Sequence, residues 1–346
     1  MMDAGYHDPM IIVQTDYVEP NLDWEADQYA RAGVDYRRHQ LRLASPEALI
    51  DAAKDADVLV VDQSRITREV IAGLDRCRLI IRHGDGYDNL DVQAATEAGI
   101  VCANEPGFWS REAAEQAFVL ALILALRIPQ QQEVARHPRT GENAGWNLGE
   151  AMPYGSLGSL TVGLVGCGKI GRHALSLFLP VAGAVLVSDP FVRDFEIEGL
   201  GARSAPLDIL VAESDIISLH VPATEETVGL FDAAMLARMK KGALLVNAAR
   251  GSLVDTDALA AALESGQLGG AALDSTDPEP LPADHPLFGM TNVIVTPHMG
   301  WYSEDALSAI RRRIVEDALG ALDGRIPESV VNPEVLKQPK LRIGRS

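Results

Sequence analysis

Short apolar runs alternate with amphipathic stretches along most of the chain. In the first hundred residues the runs that predict strands are MIIVQT (10–15), DVLVVD (57–62), RLIIRH (78–83) and IVCA (100–103). The segments 45–56, 67–74 and 89–99 have the spacing of amphipathic helices, and Ser45 followed by Pro46 is typical of a helix start. Strands that alternate with helices indicate βαβ units and a parallel sheet.

A second series of the same kind begins near residue 159. It follows a long apolar helix, predicted over 109–128, and a glycine-rich segment, 137–158, that we expect to be a long loop or arm. Its strands are predicted at 159–166, 184–189, 215–220, 243–248, 270–274 and 292–296, and a last helix is predicted over 303–324. Since the first series has too few strong strands to close a barrel, we predict an α/β protein with two doubly wound parallel sheets.

Length and composition fit this architecture. A chain of 346 residues exceeds one ordinary core, so two domains are expected. The longest apolar run, 113–126, contains Glu115 and Gln116 and is too short to cross a bilayer, so no membrane association is predicted. The first residues lack the basic start and apolar run of a signal peptide, and the three cysteines have no metal-like spacing. We therefore expect a cytoplasmic protein with reduced thiols and no metal site.

The charge balance narrows the range of partners. The chain has 30 Lys and Arg against 49 Asp and Glu, a net charge of −19. This field repels phosphate backbones, so nucleic-acid binding is disfavoured. An anionic small molecule also meets this field, so its site has to be built locally from arginines and backbone N–H groups.

One segment predicts a dinucleotide site. TVGLVGCGKIG (161–171) is a strand that runs into Gly166-x-Gly168-x-x-Gly171, followed by a predicted helix. Gly166 would make the tight turn, Gly168 would let the backbone approach a pyrophosphate, and Gly171 would let the helix pack on the strand. The pyrophosphate would then sit at the helix N-terminus, near Lys169 and Ile170, where backbone N–H groups favour an anion.

The choice of nucleotide depends on the next predicted strand, which ends in Asp189. A carboxylate there would accept hydrogen bonds from the adenosine ribose and repel a 2′-phosphate, so NAD is favoured over NADP. Arg193 is a caution, because an arginine near that position can hold the extra phosphate. The alternative, a glycine turn with an incidental acid, is disfavoured by the strand and helix around it.

Three later strands are predicted to end in residues with reactive side chains. These are Arg250 after 243–248, Asp274 and Glu279 after 270–274, and His298 after 292–296. Arg250 can grip the oxygens of a carboxylate and a carbonyl, His298 can exchange a proton near neutral pH, and Glu279 beside it would favour its charged form. This set suits proton-coupled hydride transfer to a 2-keto acid. Taken singly, the three could be an ion-pair anchor, a buried core histidine and a solvated loop acid.

Several motifs in one order resemble the D-isomer-specific 2-hydroxyacid dehydrogenase family, and the likeness covers nearly the whole chain. They are RHGDGYDNLD (82–91), NEPGFWSREAAE (104–115), VGCGKIG (165–171), NAARGSLVD (247–255), ALDSTDPEPL (272–281) and TPHMGW (296–301). The resemblance implies that Arg250 orients the substrate, Glu279 partners the histidine and His298 is the acid and base. It also implies a cofactor-binding set: Val221, Pro222, Thr227, Ala248, Ala249 and Asp274, the last on the nicotinamide carboxamide.

The same resemblance implies a domain arrangement. A Rossmann NAD-binding domain, 113–302, would be inserted into a flavodoxin-like substrate-binding domain made of 1–112 and 303–346. Homodimers are usual in the family, so a homodimer is expected here. Closure of the cleft would exclude water around the transferred hydride.

Within the family, PHMGWYSE (297–304) and GRIPESVVNPEV (324–335) look most like the C-terminal-binding protein branch. There a tryptophan just after the histidine lines the substrate pocket, which makes Trp301 a candidate wall for an apolar or thioether side chain. An interface or core aromatic is an equally good interpretation of Trp301.

The chain departs from the family pattern in the first-domain loop whose backbone N–H groups bind the substrate carboxylate. Here Asp85 stands in the middle of that segment, before Gly86, where a small or apolar residue is usual. We hypothesise that Asp85 selects against dicarboxylates or recognises a cationic group, the alternative being that it points to solvent. Trp109 stands where a small polar residue is common and would narrow the cleft.

The leading interpretation is an NAD-dependent oxidoreductase that interconverts a 2-keto acid and its D-2-hydroxy acid. The rival is an NAD(H)-responsive scaffold like the corepressors of the C-terminal-binding protein branch. A scaffold could lose the Arg–Glu–His set, yet Arg250, Glu279 and His298 are all present. A third alternative keeps the fold and oxidises formate or phosphonate, but a formate site would need further polar groups that the sequence does not identify.

Overall fold

The computed structural model describes residues 9–140, 144–150, 152 and 155–344. The chain divides into two compact units. Unit 1 comprises Met1–Phe108 and Glu304–Ser346, and unit 2 comprises Trp109–Ser303.

Unit 1 contains a five-stranded parallel sheet in the order β2-β1-β3-β4-β5. Its strands are β1 (Ile11–Gln14), β2 (Asp35–Arg38), β3 (Val58–Val61), β4 (Leu79–Arg82) and β5 (Val101–Ala103). Strands β1 and β3 are buried along their whole length, as expected for strands covered on both faces. Sequence reasoning missed β2, because this edge strand is mostly charged and only partly buried.

The helices of unit 1 are α1 (Asp23–Arg31), α2 (Pro46–Ala53), α3 (Arg68–Ala72), α4 (Val92–Ala98) and α12 (Glu304–Leu322). Ser45 caps α2 as predicted, accepting the N–H of Ala48 at 3.4 Å. Helix α1, which sequence reasoning did not identify, has a strongly polar composition and buries little beyond Tyr29 and Glu25. Glu25 is paired with Arg311 of α12, so a partly buried ion pair joins these two helices.

A buried asparagine fixes the C-terminal segment of unit 1 on the edge of its sheet. The Asn332 side chain accepts the N–H of Cys102 at 2.8 Å and donates to the carbonyl of Ile100 at 3.0 Å. The Val331 N–H donates to the carbonyl of Cys102 at 2.9 Å. These bonds pair the backbone groups of Cys102 in β5 and of Ile100 just before it, which would otherwise lack partners at the edge of the sheet.

Unit 2 contains a seven-stranded parallel sheet in the order β12-β11-β10-β9-β6-β7-β8. Its strands are β6 (Thr161–Val165), β7 (Ala184–Ser188), β8 (Arg203–Ser204), β9 (Ile216–Leu219), β10 (Ala243–Asn247), β11 (Leu268–Leu273) and β12 (Val293–Val295). The order reverses at β6, as in a Rossmann sheet. Both sheets are parallel, so the predicted fold class is confirmed; the two-residue strand β8 was missed.

The α-helices in the described part of unit 2 are α5 (Ser110–Ala125), α6 (Ile128–Arg136), α7 (Lys169–Phe178), α8 (Asp194–Gly199), α9 (Leu207–Glu213), α10 (Ala233–Arg238) and α11 (Thr256–Glu264). The prediction of one helix over 109–128 is wrong at its end. Arg127 takes a left-handed conformation, φ 55°, and separates α5 from α6. No helix within the described ranges has the length and apolar character needed to cross a membrane.

Candidate active site

The glycines of the loop after β6 are required by close backbone approaches. Gly166 has φ +99°, and a Cβ there would lie 2.6 Å from the carbonyl oxygen of His220. A Cβ on Gly171 would overlap the carbonyl oxygen of Gly166. Helix α7 can therefore pack tightly on this loop only with glycine at both positions.

Gly168 is different, because it borders open space. A Cβ at Gly168 would meet no described heavy atom within 4 Å. Gly168 is the N-cap of α7 and supplies no side-chain cap, so the first-turn N–H groups, including those of Lys169 and Ile170, remain for a ligand. An open cradle over uncapped helical N–H groups fits the pyrophosphate of a dinucleotide.

Asp189 follows β7 and is held beside the glycine loop. Its Oδ2 accepts the N–H of Cys167 at 2.7 Å, and its Oδ1 accepts the N–H of Phe191 at 2.8 Å. A carboxylate accepts about four hydrogen bonds, so these two contacts orient the group and still leave capacity for ribose hydroxyls. The position predicted to select NAD is thus prearranged by backbone donors.

The predicted cofactor residues Val221, Pro222 and Thr227 lie in the loop after β9. The Thr227 hydroxyl donates to the carbonyl of Pro222 at 2.6 Å and accepts the N–H of Thr224 at 2.7 Å. These bonds close the loop on itself. Val221 touches the glycine loop, since a Cβ at Gly166 would lie 2.9 Å from its side chain.

His220, between β9 and this loop, is partly buried and packs against the glycine loop. Burial lowers the pKa of His220 to about 4, so its ring is neutral at neutral pH. Its Nε2 is 3.0 Å from the hydroxyl oxygen of Ser218, and its backbone N–H donates to the carbonyl of Val165 at 2.7 Å. It therefore packs behind the glycine loop as an uncharged side chain.

Asn247, fully buried at the end of β10, organises the turn that carries Arg250. Its Nδ2 donates to the carbonyl of Arg250 at 2.8 Å, and its Oδ1 accepts the N–H of Ala249 at 3.1 Å. The Arg250 Nη1 donates to the carbonyl of Ala249 at 2.8 Å. Sequence reasoning missed Asn247, although an amide closing the apolar run ALLVN was a signal, because buried polar groups need partners.

Asp274 ends β11 and anchors the loop that carries the predicted catalytic histidine. Its carboxylate accepts the N–H of Met299 at 2.9 Å and the N–H of Gly300 at 2.7 Å. The Thr296 hydroxyl and the Gln116 amide also donate to it. The predicted contact with a carboxamide stays a prediction; the structure gives this carboxylate an additional role as the anchor of the loop after β12.

His298, in that loop, forms a hydrogen-bonded pair with Glu279, which lies in the segment after β11. The His298 Nδ1 lies 3.0 Å from Oε1 and 3.1 Å from Oε2 of Glu279. This contact orients the ring and leaves Nε2 as the nitrogen that can exchange a proton with a ligand. His298 has φ 54°, a left-handed conformation that is uncommon outside glycine and clusters at functional sites.

Trp301, three residues after His298 in the chain, belongs to an aromatic cluster. Its ring packs edge-on against Trp109, with centroids 5.8 Å apart, and against Tyr302, with centroids 5.4 Å apart. Trp109 is buried and Trp301 is half-buried. Both aromatic residues singled out in the sequence are therefore in contact with each other, and the role of Trp301 toward a substrate stays a prediction.

Asp85 and Gly86 lie in unit 1, after β4. The Asp85 carboxylate accepts the N–H of Gly107 at 3.1 Å, and its carbonyl accepts from the Asn104 amide at 2.6 Å. The Glu105 N–H donates to the carbonyl of Gly84 at 3.0 Å. These contacts pin 84–86 to 104–107 and give the Asp85 side chain a backbone donor. Its hypothesised part in substrate selection stays a prediction.

The predicted residues of unit 2 share one feature of position. Each lies in or just after a loop at the carboxyl end of β6, β7, β9, β10, β11 or β12. Parallel strands place these ends at one edge of the sheet, where open α/β sheets bind ligands. In the part of the chain that the structure describes, no group of three His, Cys, Asp or Glu side chains is arranged to hold a metal ion.

The chain is similar to known proteins over most of its length. The family described as "D-isomer specific 2-hydroxyacid dehydrogenase, NAD binding domain" matches residues 120–300. A glyoxylate reductase of Korarchaeum cryptofilum is 37% identical over 296 residues, which is 85% of this chain and 88% of that protein. A D-3-phosphoglycerate dehydrogenase of Archaeoglobus fulgidus is 33% identical over 314 residues, but the match spans only 58% of its length.

A solved structure supports the same assignment. The D-lactate dehydrogenase of Aquifex aeolicus, complexed with NAD and lactic acid, superposes with a TM-score of 0.81 at 25% identity and covers 93% of this chain and 99% of that one. These relatives confirm the predicted family. They do not show the C-terminal-binding protein branch, since the relatives described here are reductases and dehydrogenases.

Proposed function

Because the chain belongs to the D-isomer-specific 2-hydroxyacid dehydrogenase family, we propose that it reduces a small 2-keto monocarboxylate to the D-2-hydroxy acid. The protein is an NAD-dependent enzyme of this family, with NAD as its cofactor. The observation that carries the proposal is the His298–Glu279 pair, with its 3.0 Å contact at Nδ1, in a unit that also holds the dinucleotide loop.

The residues of the chain divide the chemistry among them. Bound NADH supplies the hydride. Arg250 holds the carboxylate and carbonyl oxygens of the keto acid through its planar guanidinium group. His298 donates the proton at Nε2 to the carbonyl oxygen, and Glu279 stabilises the positive charge on the ring before that transfer. In the oxidative direction the same nitrogen accepts the proton.

Within this proposal the substrate is small and carries a single carboxylate, with glyoxylate the first candidate. Support comes from the glyoxylate reductase relative, of which this chain spans 88%, whereas it spans little more than half of the phosphoglycerate dehydrogenase relatives. Asp85 adds a negative charge to the segment 84–86 whose N–H groups would bind the carboxylate, and a second anionic group on the substrate would be repelled there.

The test is NADH oxidation against a panel of 2-keto acids that includes glyoxylate, pyruvate, hydroxypyruvate and phosphohydroxypyruvate. We expect turnover with the small monocarboxylates and a loss of kcat of about a thousandfold in His298→Ala. The matched control is His137→Ala, which removes an exposed His–Glu pair of 2.7 Å on α6 and should leave kcat unchanged. Full activity of His298→Ala, or a preference for the phosphorylated acid, would overturn the proposal.

The proposed enzyme is a cytoplasmic homodimer, as is usual for the family. Light scattering coupled to gel filtration tests this, with a mass near twice 37.2 kDa expected. The scaffold alternative is not favoured, because the Arg250, Glu279 and His298 set is complete and its turn and loop are internally hydrogen-bonded.

A further inference from the structure

Glu196, on helix α8, binds two arginines beside the dinucleotide loop. Arg193 approaches its Oε1 through both Nε, at 2.6 Å, and Nη2, at 2.5 Å. Arg172, on α7, places Nη2 3.7 Å from its Oε2. One carboxylate therefore holds guanidinium groups that come from two different elements of unit 2.

Both arginines are connected to Asp189, the carboxylate that would meet the adenosine ribose, Arg172 through Cys167 and Arg193 along the chain. The Arg172 Nε donates to the carbonyl of Cys167 at 3.1 Å, and the N–H of the same Cys167 donates to Asp189 at 2.7 Å. The backbone of a single residue, Cys167, therefore hydrogen-bonds to both Arg172 and Asp189. Arg193 is the residue four positions after Asp189 and begins α8 as its N-cap.

The side chain of Cys167 is affected by the charges of the same residues. Burial raises the pKa of Cys167, the positive charge of Arg172 lowers it, and the negative charges of Asp189 and Glu196 raise it. The charges of Arg172, Asp189 and Glu196 thus all act on the Cys167 side chain.

The local charge depends on Glu196. With it, the group contains two positive side chains, Arg172 and Arg193, and two negative ones, Asp189 and Glu196. Without it, the positive charges exceed the negative by one. Arg193 is also held by Phe195, whose ring centre lies 4.5 Å from the guanidinium carbon, and its side chain is 73% exposed. An exposed arginine released from its acid partner could turn to a phosphate nearby.

We propose that Glu196 is a specificity-determining residue that keeps Arg193 and Arg172 from binding the 2′-phosphate of NADP. Asp189 disfavours NADP by direct repulsion, and Glu196 does so by occupying the cations that would offset this repulsion. The choice of NAD thus depends on a residue that itself need not touch the nucleotide. This inference rests on dinucleotide binding to the glycine loop and not on which keto acid is reduced.

The experiment measures nucleotide affinity by isothermal titration calorimetry of the full chain, without any keto acid. In Glu196→Gln we expect the Kd for NADPH to fall by about tenfold, the order given by one charge-assisted contact near the surface, while the Kd for NADH changes by less than about twofold. The matched control is Glu198→Gln, which removes the same charge from an exposed position of the same helix and should leave both constants unchanged.

Two double variants separate this mechanism from a general charge effect. In Glu196→Gln/Arg193→Ala most of the gain in NADPH affinity should disappear, and in Glu196→Gln/Arg172→Ala part of it. An unchanged Kd for NADPH in Glu196→Gln, an equal gain in Glu198→Gln, or a gain that survives in both double variants would each overturn the proposal. Because only nucleotide binding is measured, this test can be interpreted even if none of the keto acids is reduced. Failure of both nucleotides to bind the parent would refute both proposals.

Discussion

The folded protein is expected to lose stability as pH rises because of Glu105. Replacing Glu105 with glutamine should abolish this pH-dependent loss. Glu105 follows β5, is 2% exposed and faces Asp317 on α12. Burial, and next the negative charge of Asp317, raise the pKa of Glu105 to about 8; burial raises the pKa of Asp317 as well. Glu105 therefore keeps its proton at neutral pH and donates it to Asp317.

The charged groups around this pair come from two segments. Arg313, on α12, bonds to Asp317 at 3.1 Å and to Glu328 at 3.0 Å, and its charge lowers the pKa of Glu105 and of Asp317. Glu328 raises the pKa of Glu105, and Glu316 that of Asp317. Burial, together with an excess of acids over bases in the cluster, is why one proton is retained.

The direction and size of the effect follow from proton linkage. The unfolded chain releases the Glu105 proton near its ordinary pKa of 4.5, and the folded protein retains it until about 8. Between these values the folded state binds one more proton, so its stability falls as pH rises, by up to about 1.4 kcal/mol per pH unit. The stability contributed by the protonated form is complete below pH 4.5 and lost as pH passes about 8.

Glu105→Gln has no proton to lose in this window, and its amide can still donate to Asp317. The free energy of unfolding of this variant, relative to the parent, should therefore increase by about 1 kcal/mol per pH unit between roughly pH 5.5 and 7.5. Urea unfolding followed by circular dichroism at several pH values measures it. Glu328→Gln is the control, since that side chain is 85% exposed and bonds to the same Arg313.

Parallel stability curves for the parent and Glu105→Gln over this range would refute a buried, protonated Glu105. A pH-dependent difference of equal size in Glu328→Gln would show that the net charge of the cluster, and not the buried proton, causes it.

Four further outcomes are expected. Glu279→Gln should lower kcat by about a hundredfold without changing the Kd for NADH, because an amide cannot stabilise positive charge on His298. Steady-state assays measure kcat and calorimetry measures the Kd. A kcat within about threefold of the parent would contradict this prediction. Gly168→Ala should keep the parent's melting temperature but bind NADH more weakly, because its Cβ enters only the ligand space. Gly166→Ala should lose at least about 2 kcal/mol of stability, because its φ of +99° and a carbonyl oxygen at 2.6 Å oppose a side chain. Thermal unfolding of the two alanine variants side by side decides, and equal melting temperatures would be the contrary result. Asn332→Ala should cost about 2 to 4 kcal/mol in urea unfolding, because it leaves buried N–H and C=O groups of the β5 edge without their partner; a loss below 0.5 kcal/mol would be incompatible with this.

The strands that sequence patterns predicted are those with continuous apolar runs. Two examples, Val58–Val61 and Ala243–Asn247, are buried along their whole length. A continuous apolar run is typical of a parallel strand that is covered on both faces of the sheet. The edge strand Asp35–Arg38 was missed because it pairs only with β1 and its mostly charged side chains are partly exposed, so it has no apolar run. The break between α5 and α6 was missed because the left-handed turn falls on Arg127, a residue type that does not signal it.

What the sequence by itself determined is therefore the fold class, the family and the residue types of the site, since strand periods, the glycine spacing and reactive residues after strands are all local patterns. The pairing of Glu279 with His298 was also predicted, but three other contacts became visible only in the tertiary structure. Asp274 anchors the loop of His298, Glu105 shares a proton with Asp317, and Glu196 holds Arg172. The members of each pair lie far apart in the chain, and their contact depends on how parallel strands and their helices bring distant segments together, which no local pattern encodes.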